Sequence, residues 1–183
     1  MDRKNDIRQG TILAVPKSAA SEGALPPDVH QKPSLRVTIR HLESRDIDAV
    51  LQIQTQCRET AQWSRKDYET LVRDAVPCFI AENDGRVVGF LAARKLTDEM
   101  EILNLATDPA ARRRGVAGQL LFEAMKWAAV NGITKVYLEV RASNAAARKF
   151  YESRGFRTMG IRPNYYRDPP DDAMLLAANL KNK

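Results

Sequence analysis

Arg112, Arg113 and Arg114, followed by Gly115, Val116, Ala117 and Gly118, place three guanidinium groups beside residues small enough to let an anion reach the backbone. If a helix starts here, its first turn adds about four N–H groups without intrahelical partners and roughly half a positive charge. Phosphates bind at such places, and arginine offers their oxygens a planar fork. Taken alone, the run fits a diphosphate site, an RNA-contacting loop or a solvated basic loop. Further on, the run Val136, Tyr137, Leu138, Glu139 and Val140 alternates, so Tyr137 and Glu139 share one face and the aliphatic side chains the other. A carboxylate there can serve as a general base or simply face solvent. Tyr151, in a helical stretch, is either a residue at the edge of a core or a proton donor, because a phenol titrates near 10.

Elements must hold these groups in place. Leu35, Val37 and Ile39 alternate with Arg36, Thr38 and Arg40, the period of a half-buried strand. Asp46 opens a helix with Ile47, Val50, Leu51 and Ile53 on one face, and Ser64 with Asp67 reads as a capping box ahead of a second. Strands at 78–81 and 87–92 flank Asn83, Asp84 and Gly85, a hairpin turn. Another strand covers 101–107 and is closed by Asp108 and Pro109. A helix from about 115 to 130 buries Val116, Leu120, Leu121, Ala124, Trp127 and Ala128, with Gly132 just past its end. After the strand at 136–140, Asn144 caps a helix to Arg154, Gly155 supplies its left-handed stop, and strands at 156–161 and 174–180 follow. The strand, helix, strand unit over 101–140 favours a right-handed parallel crossover. The predicted fold class is therefore α/β, with a mixed sheet and helices on both faces.

The chain has 183 residues, 44% apolar and 28% charged, which suits one globular domain with some surplus chain. Residues 1–34 carry Pro16, Pro26, Pro27 and Pro33 without sustained periodicity and read as a flexible extension, leaving 35–183 as the domain. The net charge of +6 is compatible with an anionic ligand and selects none. No apolar run approaches the roughly 20 residues that span a bilayer, so a cytoplasmic protein with no membrane partner is expected. Cys57, Cys78, His30 and His41 lack ligand spacing, and no metal is expected.

The run LATDPAARRRGVAGQLL resembles the acyl-coenzyme A motif of the GNAT superfamily of N-acetyltransferases, whose turn reads Gln or Arg, x, x, Gly, x, Gly or Ala. YLEVRASNAAARKFYESRGF and IRPNYYRDPPDDAMLL extend the resemblance, which within the superfamily is to the ribosomal-protein-alanine N-acetyltransferase (RimI) type. It implies a GNAT-like, mostly antiparallel central sheet with a splayed parallel strand pair. Acetyl-CoA is then the cosubstrate and a protein N-terminus, such as that of a ribosomal protein, the acceptor, with no direct nucleic-acid contact. By the same resemblance Leu105, Ala106 and Thr107 meet the pantetheine arm and acetyl carbonyl. Arg113, Arg114, Gly115, Val116, Ala117 and Gly118 hold the pyrophosphate, and Asn144 adds a cofactor contact to its capping role. Glu139 matches the general base, with Glu101 as competitor, and Tyr151 matches the acid that protonates the departing thiolate.

The segments 58–68 and 162–172 are expected to frame the acceptor. Trp63, Asn164, Tyr165 and Tyr166 match family positions there, and Asp171 and Asp172 offer negative charge to a basic peptide; an aromatic hairpin edge and a solvated acidic loop are the plainer alternatives. Gln62 stands where proline is usual, Pro163 where arginine is usual and Ala117 where glycine is frequent. An α-amine titrates about 2.5 units below a lysine, roughly 3.4 kcal/mol in ease of deprotonation, which permits an N-terminal acceptor without establishing one. A small amine or lysine acceptor, or a non-catalytic basic RNA- or ribosome-binding module, are the rival readings.

Overall fold

The computed structural model describes residues 33–57, 59–74 and 77–180. Its strands are β1 (Thr38–His41), β2 (Cys78–Asn83), β3 (Arg86–Leu96), β4 (Glu99–Thr107), β5 (Lys135–Arg141), β6 (Arg157–Arg167) and β7 (Pro170–Asn179). They form one sheet in the order β1-β2-β3-β4-β5-β7-β6, in which only β4 and β5 run parallel. The expected mixed, mostly antiparallel sheet is what forms. The helices are α1 (Ile47–Thr55), α2 (Arg65–Arg73), α3 (Val116–Val130) and α4 (Ala145–Glu152).

Both sheet faces are buried by helices. Val116, Leu120, Leu121, Ala124 and Ala128 of α3 and Tyr151 of α4 cluster with Met100, Ile102, Val136 and Leu138. Ile47, Val50 and Ile53 of α1 and Tyr68 of α2 cluster with Ile80, Phe90, Ala92 and Ala106 on the other face. Strand β4 thus changes sides midway, because Ile102 pairs with Ala93 and Asn104 with Ala92, leaving Leu103 as an extra residue. Such a bulge reverses which side chains face which layer and increases the local twist. The parallel ladder stops there, its last pair being Ile102 with Leu138, and the remainder of β5 pairs only with β7. This is the splayed pair.

Several boundaries differ from the sequence expectation. The first strand begins at Thr38, because Leu35 is held elsewhere: its N–H donates to Arg114 O (2.9 Å) and its carbonyl accepts from Gln119 Nε2 (3.0 Å). Strands β6 and β7 absorb residues 162–172, which the sequence places between strands. Apolar alternation ends at Ile161, but β6 is the sheet edge and almost wholly exposed, so its pairing leaves no hydrophobic trace. The reading of 1–34 as an extension lies outside the described residues except for Pro33 and Ser34.

Local signals hold where the chemistry is local. Ser64 and Asp67 form the reciprocal capping box of α2, and Asp84 and Gly85 both take positive φ in the β2–β3 turn. Asp46 does more than open α1. Buried in a short 3-10 turn, it accepts from Glu43 N–H and from both terminal nitrogens of Arg40 (2.7 and 2.8 Å), while Arg40 also reaches Glu82. Burial alone would raise the Asp46 carboxyl, but the Arg40 hydrogen bonds win and hold it below the usual carboxylate range.

Candidate active site

Beyond the bulge, residues 103–107 of β4 have β3 on one side and no strand on the other. Backbone polar groups along that edge call for a partner. Leu105 and Thr107 are half-buried and Ala106 buried, so the edge is partly shielded from water. Asp108 then caps a 3-10 turn (Pro109–Ala111) by accepting from Ala110 N–H, and the chain turns into α3. Arg113 and Gly115 both take positive φ (61° and 82°) in this turn, and Gly115 is the N-cap, with no side-chain cap. Among the described residues no acceptor meets the N–H groups of Val116, Ala117 or Gly118.

A residue the sequence reading missed brings this turn onto the sheet. A Cβ at Gly89 of β3 would lie 3.0 Å from Ala106 O and 3.1 Å from Val116 Cγ1. Its absence lets the first turn of α3 settle on the β3–β4 ladder. The available signal was a glycine inside an apolar strand run, which marks close approach of another chain segment.

The arginines of the turn divide their work. Arg112 Nη2 donates to Cys57 Sγ (3.1 Å) and Arg114 Nε to Pro33 O (3.1 Å), whereas Arg113 is exposed. Asn144 caps α4 by accepting from Ala147 N–H (2.9 Å) and also donates to Glu59 Oε2 (2.6 Å). Buried Asn104 donates to Ala61 O (3.0 Å). Residues 59–64, between α1 and α2, are therefore fastened to β4 on one side and to the start of α4 on the other, across the splay. Glu59 and Asn104 had no sequence signal; Arg58, the first residue of the expected framing segment, lies outside the described residues.

Glu139 is largely buried on the face opposite α3, with Oε1 3.1 Å from Arg162 Nη1. Contact with this carboxylate pushes the Tyr165 phenol above its ordinary value. The rival carboxylate, Glu101, accepts from Arg94 Nη2 at 2.5 Å. Their positions differ: Glu101 lies within the paired stretch of β4 and β5, whereas Glu139 directly follows Leu138, the last paired residue. Tyr151 sits on the α3 side of the sheet, 7% exposed, in edge contact with Phe150 and Phe156. Burial pushes its phenol well above 10, so it is protonated at neutral pH. The two groups lie on opposite faces of the sheet.

The acceptor-framing residues are more committed than expected. The Trp63 backbone bonds both ways with the Gln54 side chain, and its ring packs 5.4 Å from that of Tyr68. Tyr166 lies beneath the Arg141 guanidinium, 4.1 Å from its ring centre. Asn164 takes a positive φ of 53° and donates its N–H to Asp172 Oδ1 (2.8 Å). Asp171 accepts from both the hydroxyl and the N–H of Ser143, which hold it below the usual carboxylate range. Asp171 and Asp172 thus shape the hairpin while keeping their negative charge. Among the described residues no cluster of His, Cys, Asp or Glu is arranged to hold a metal.

The sequence matches the Acetyltransferase (GNAT) family over residues 46–156. Ribosomal protein bS18-alanine N-acetyltransferase of Escherichia coli (strain K12) is 34% identical over 142 residues, covering 76% of this chain and 95% of that protein. The crystal structure of the ribosomal-protein-S18-alanine N-acetyltransferase from Escherichia coli superposes with a TM-score of 0.73 at 32% identity, over 80% of this chain and 95% of that one. Ard1 from Thermoplasma volcanium gives a TM-score of 0.73 at 30% identity, over 79% and 98%.

Proposed function

The chain belongs to the GNAT acetyltransferase family and is an acetyl-CoA-dependent N-acetyltransferase, and from that premise we propose that it acetylates the α-amine of a protein N-terminal residue, first of all an alanine of a ribosomal protein. The observation that carries this reading is the parting of β4 and β5 after Ile102 and Leu138, beyond which residues 103–107 have no strand on that side. Similarity to the Escherichia coli enzyme over nearly all of that protein's length supports the acceptor.

In this reading the backbone of Leu105, Ala106 and Thr107 pairs with the amides of the donor arm, replacing the strand that β5 ceases to be. The N–H groups of Arg113, Arg114, Gly115, Val116, Ala117 and Gly118 hold the pyrophosphate, and Asn144 turns its amide from Glu59 toward the donor. Trp63, Asn164, Tyr165 and Tyr166 line the acceptor side. Glu139 removes the proton of the substrate ammonium, through water or directly, and the freed nitrogen attacks the thioester carbon. A backbone N–H near Leu105 faces the oxyanion, and as the C–S bond breaks Tyr151 donates its proton to sulfur while the nitrogen gives up its second proton, which through solvent restores the phenol. Glu139 is preferred over Glu101 because it directly follows the last residue of β5 paired with β4. A cytoplasmic site of action belongs to the same reading, supported by similarity to the bacterial enzyme.

Calorimetry with acetyl-CoA, together with mass spectrometry of N-termini in cells with and without the protein, tests both halves. Binding heat and a newly unacetylated alanine N-terminus are expected. Binding with acetylation of polyamines or lysine peptides instead would reassign the acceptor, and folded protein giving no heat would end the donor assignment.

A further inference from the structure

In the first turn of α3, the space that a Cβ on Gly118 would fill is taken by Arg154 Nη2, 2.7 Å from that point. Arg154 follows the end of α4. Its guanidinium lies 3.8 Å over the Phe150 ring, and Nη1 donates to Phe150 O (3.0 Å) and Ser153 Oγ (2.9 Å). These contacts fix the plane of the fork and leave Nε and Nη2 without an acceptor among the described residues. Burial pulls this guanidinium below its usual range, and no described carboxylate pairs with it. Meanwhile Arg112 is spent on Cys57 and Arg114 on Pro33. An oriented cation at the first turn of α3 therefore comes from outside the arginine-rich run, from the end of α4.

Resting on the acetyl-CoA site described above, we propose that Arg154 is a phosphate-binding residue of the donor site, closing over the first turn of α3 from α4. An anion at that turn completes two unfinished sets of donors at once, the backbone N–H groups and the free edge of the fork. Gly118 matters in this arrangement by leaving room for the arginine as much as for the donor.

The test is calorimetric affinity of the full chain and of Arg154→Gln for CoA, 3′-dephospho-CoA and pantetheine, with melting curves confirming that the variant folds. Loss of one charge-assisted contact predicts about tenfold weaker CoA binding, with pantetheine unchanged. If the loss persists with 3′-dephospho-CoA the contact is to the diphosphate, and if it disappears the contact is to the 3′-phosphate; either supports the proposal. Gly118→Ala, which crowds both the guanidinium and the donor, should weaken CoA binding more in the parent than in Arg154→Gln, and equal losses in the two backgrounds would count against the arginine contact. Equal losses for CoA and pantetheine, or unaltered CoA affinity in Arg154→Gln, would overturn the assignment while leaving the donor site standing. A parent protein that binds none of the three would overturn the site itself, and Arg154 with it.

Discussion

At the donor end, residues 103–107 and the first turn of α3 offer backbone groups, supplied by one stretch of chain and left open by a bulge and an absent cap. The acceptor end is built the other way: Glu139 comes from β5, Arg162 and Tyr165 from β6, and Asp172 of β7 holds the Asn164 bend. At the first end most donors belong to the main chain, with Arg154 the proposed side-chain exception. At the second, each side chain is the group itself, and pairs made across strands leave a partner exposed when one is cut.

The sharpest challenge to this contrast is Glu139→Gln. Loss of a general base is expected to cut kcat about a hundredfold or more below pH 8, where the amine is still protonated, with donor affinity unchanged. An unaltered pH–rate profile would move the role to Glu101 or water. Next in size is a scaffold change remote from both ends. Asp46→Asn leaves Arg40 facing a neutral amide and should cost about 3 kcal/mol of stability at neutral pH. The folded Asp46 carboxyl titrates below its unfolded value, so its contribution is present above about pH 4 and lost as pH falls through the folded value. Melting curves of parent and variant should therefore converge in acid, and a constant gap would refute the ion-pair account. The smallest effect is expected at the donor end. Arg114→Gln, whose guanidinium already serves Pro33 O, should change CoA affinity by no more than about threefold in calorimetry. A tenfold loss would show that the arginine run, rather than the backbone, holds the turn.

Different kinds of residue were legible to different degrees. Capping at Ser64 and Asn144, the Asp84 and Gly85 turn and the α3 register are written within a few residues, and the structure keeps them. Gly89 was legible only as an anomaly in an apolar run, since what it admits belongs to β4 and α3. Glu59 and Arg154 left no mark at all. Their partners, Asn144 and the turn at Gly118, are distant in sequence, and exposed charged residues carry no periodicity.

By itself the sequence determined the order and type of the elements, the phosphate-suited turn and the parity that puts Glu139 beside Tyr137, because helix and strand periods and cap chemistry act over a few neighbouring residues. Only the tertiary structure decided where β4 leaves β5, which arginines remain available to a ligand, and that Asp171 and Asp172 are tied up within the hairpin. Those outcomes follow from competition among distant groups for the same hydrogen-bond partners, and that competition begins only once the sheet has closed.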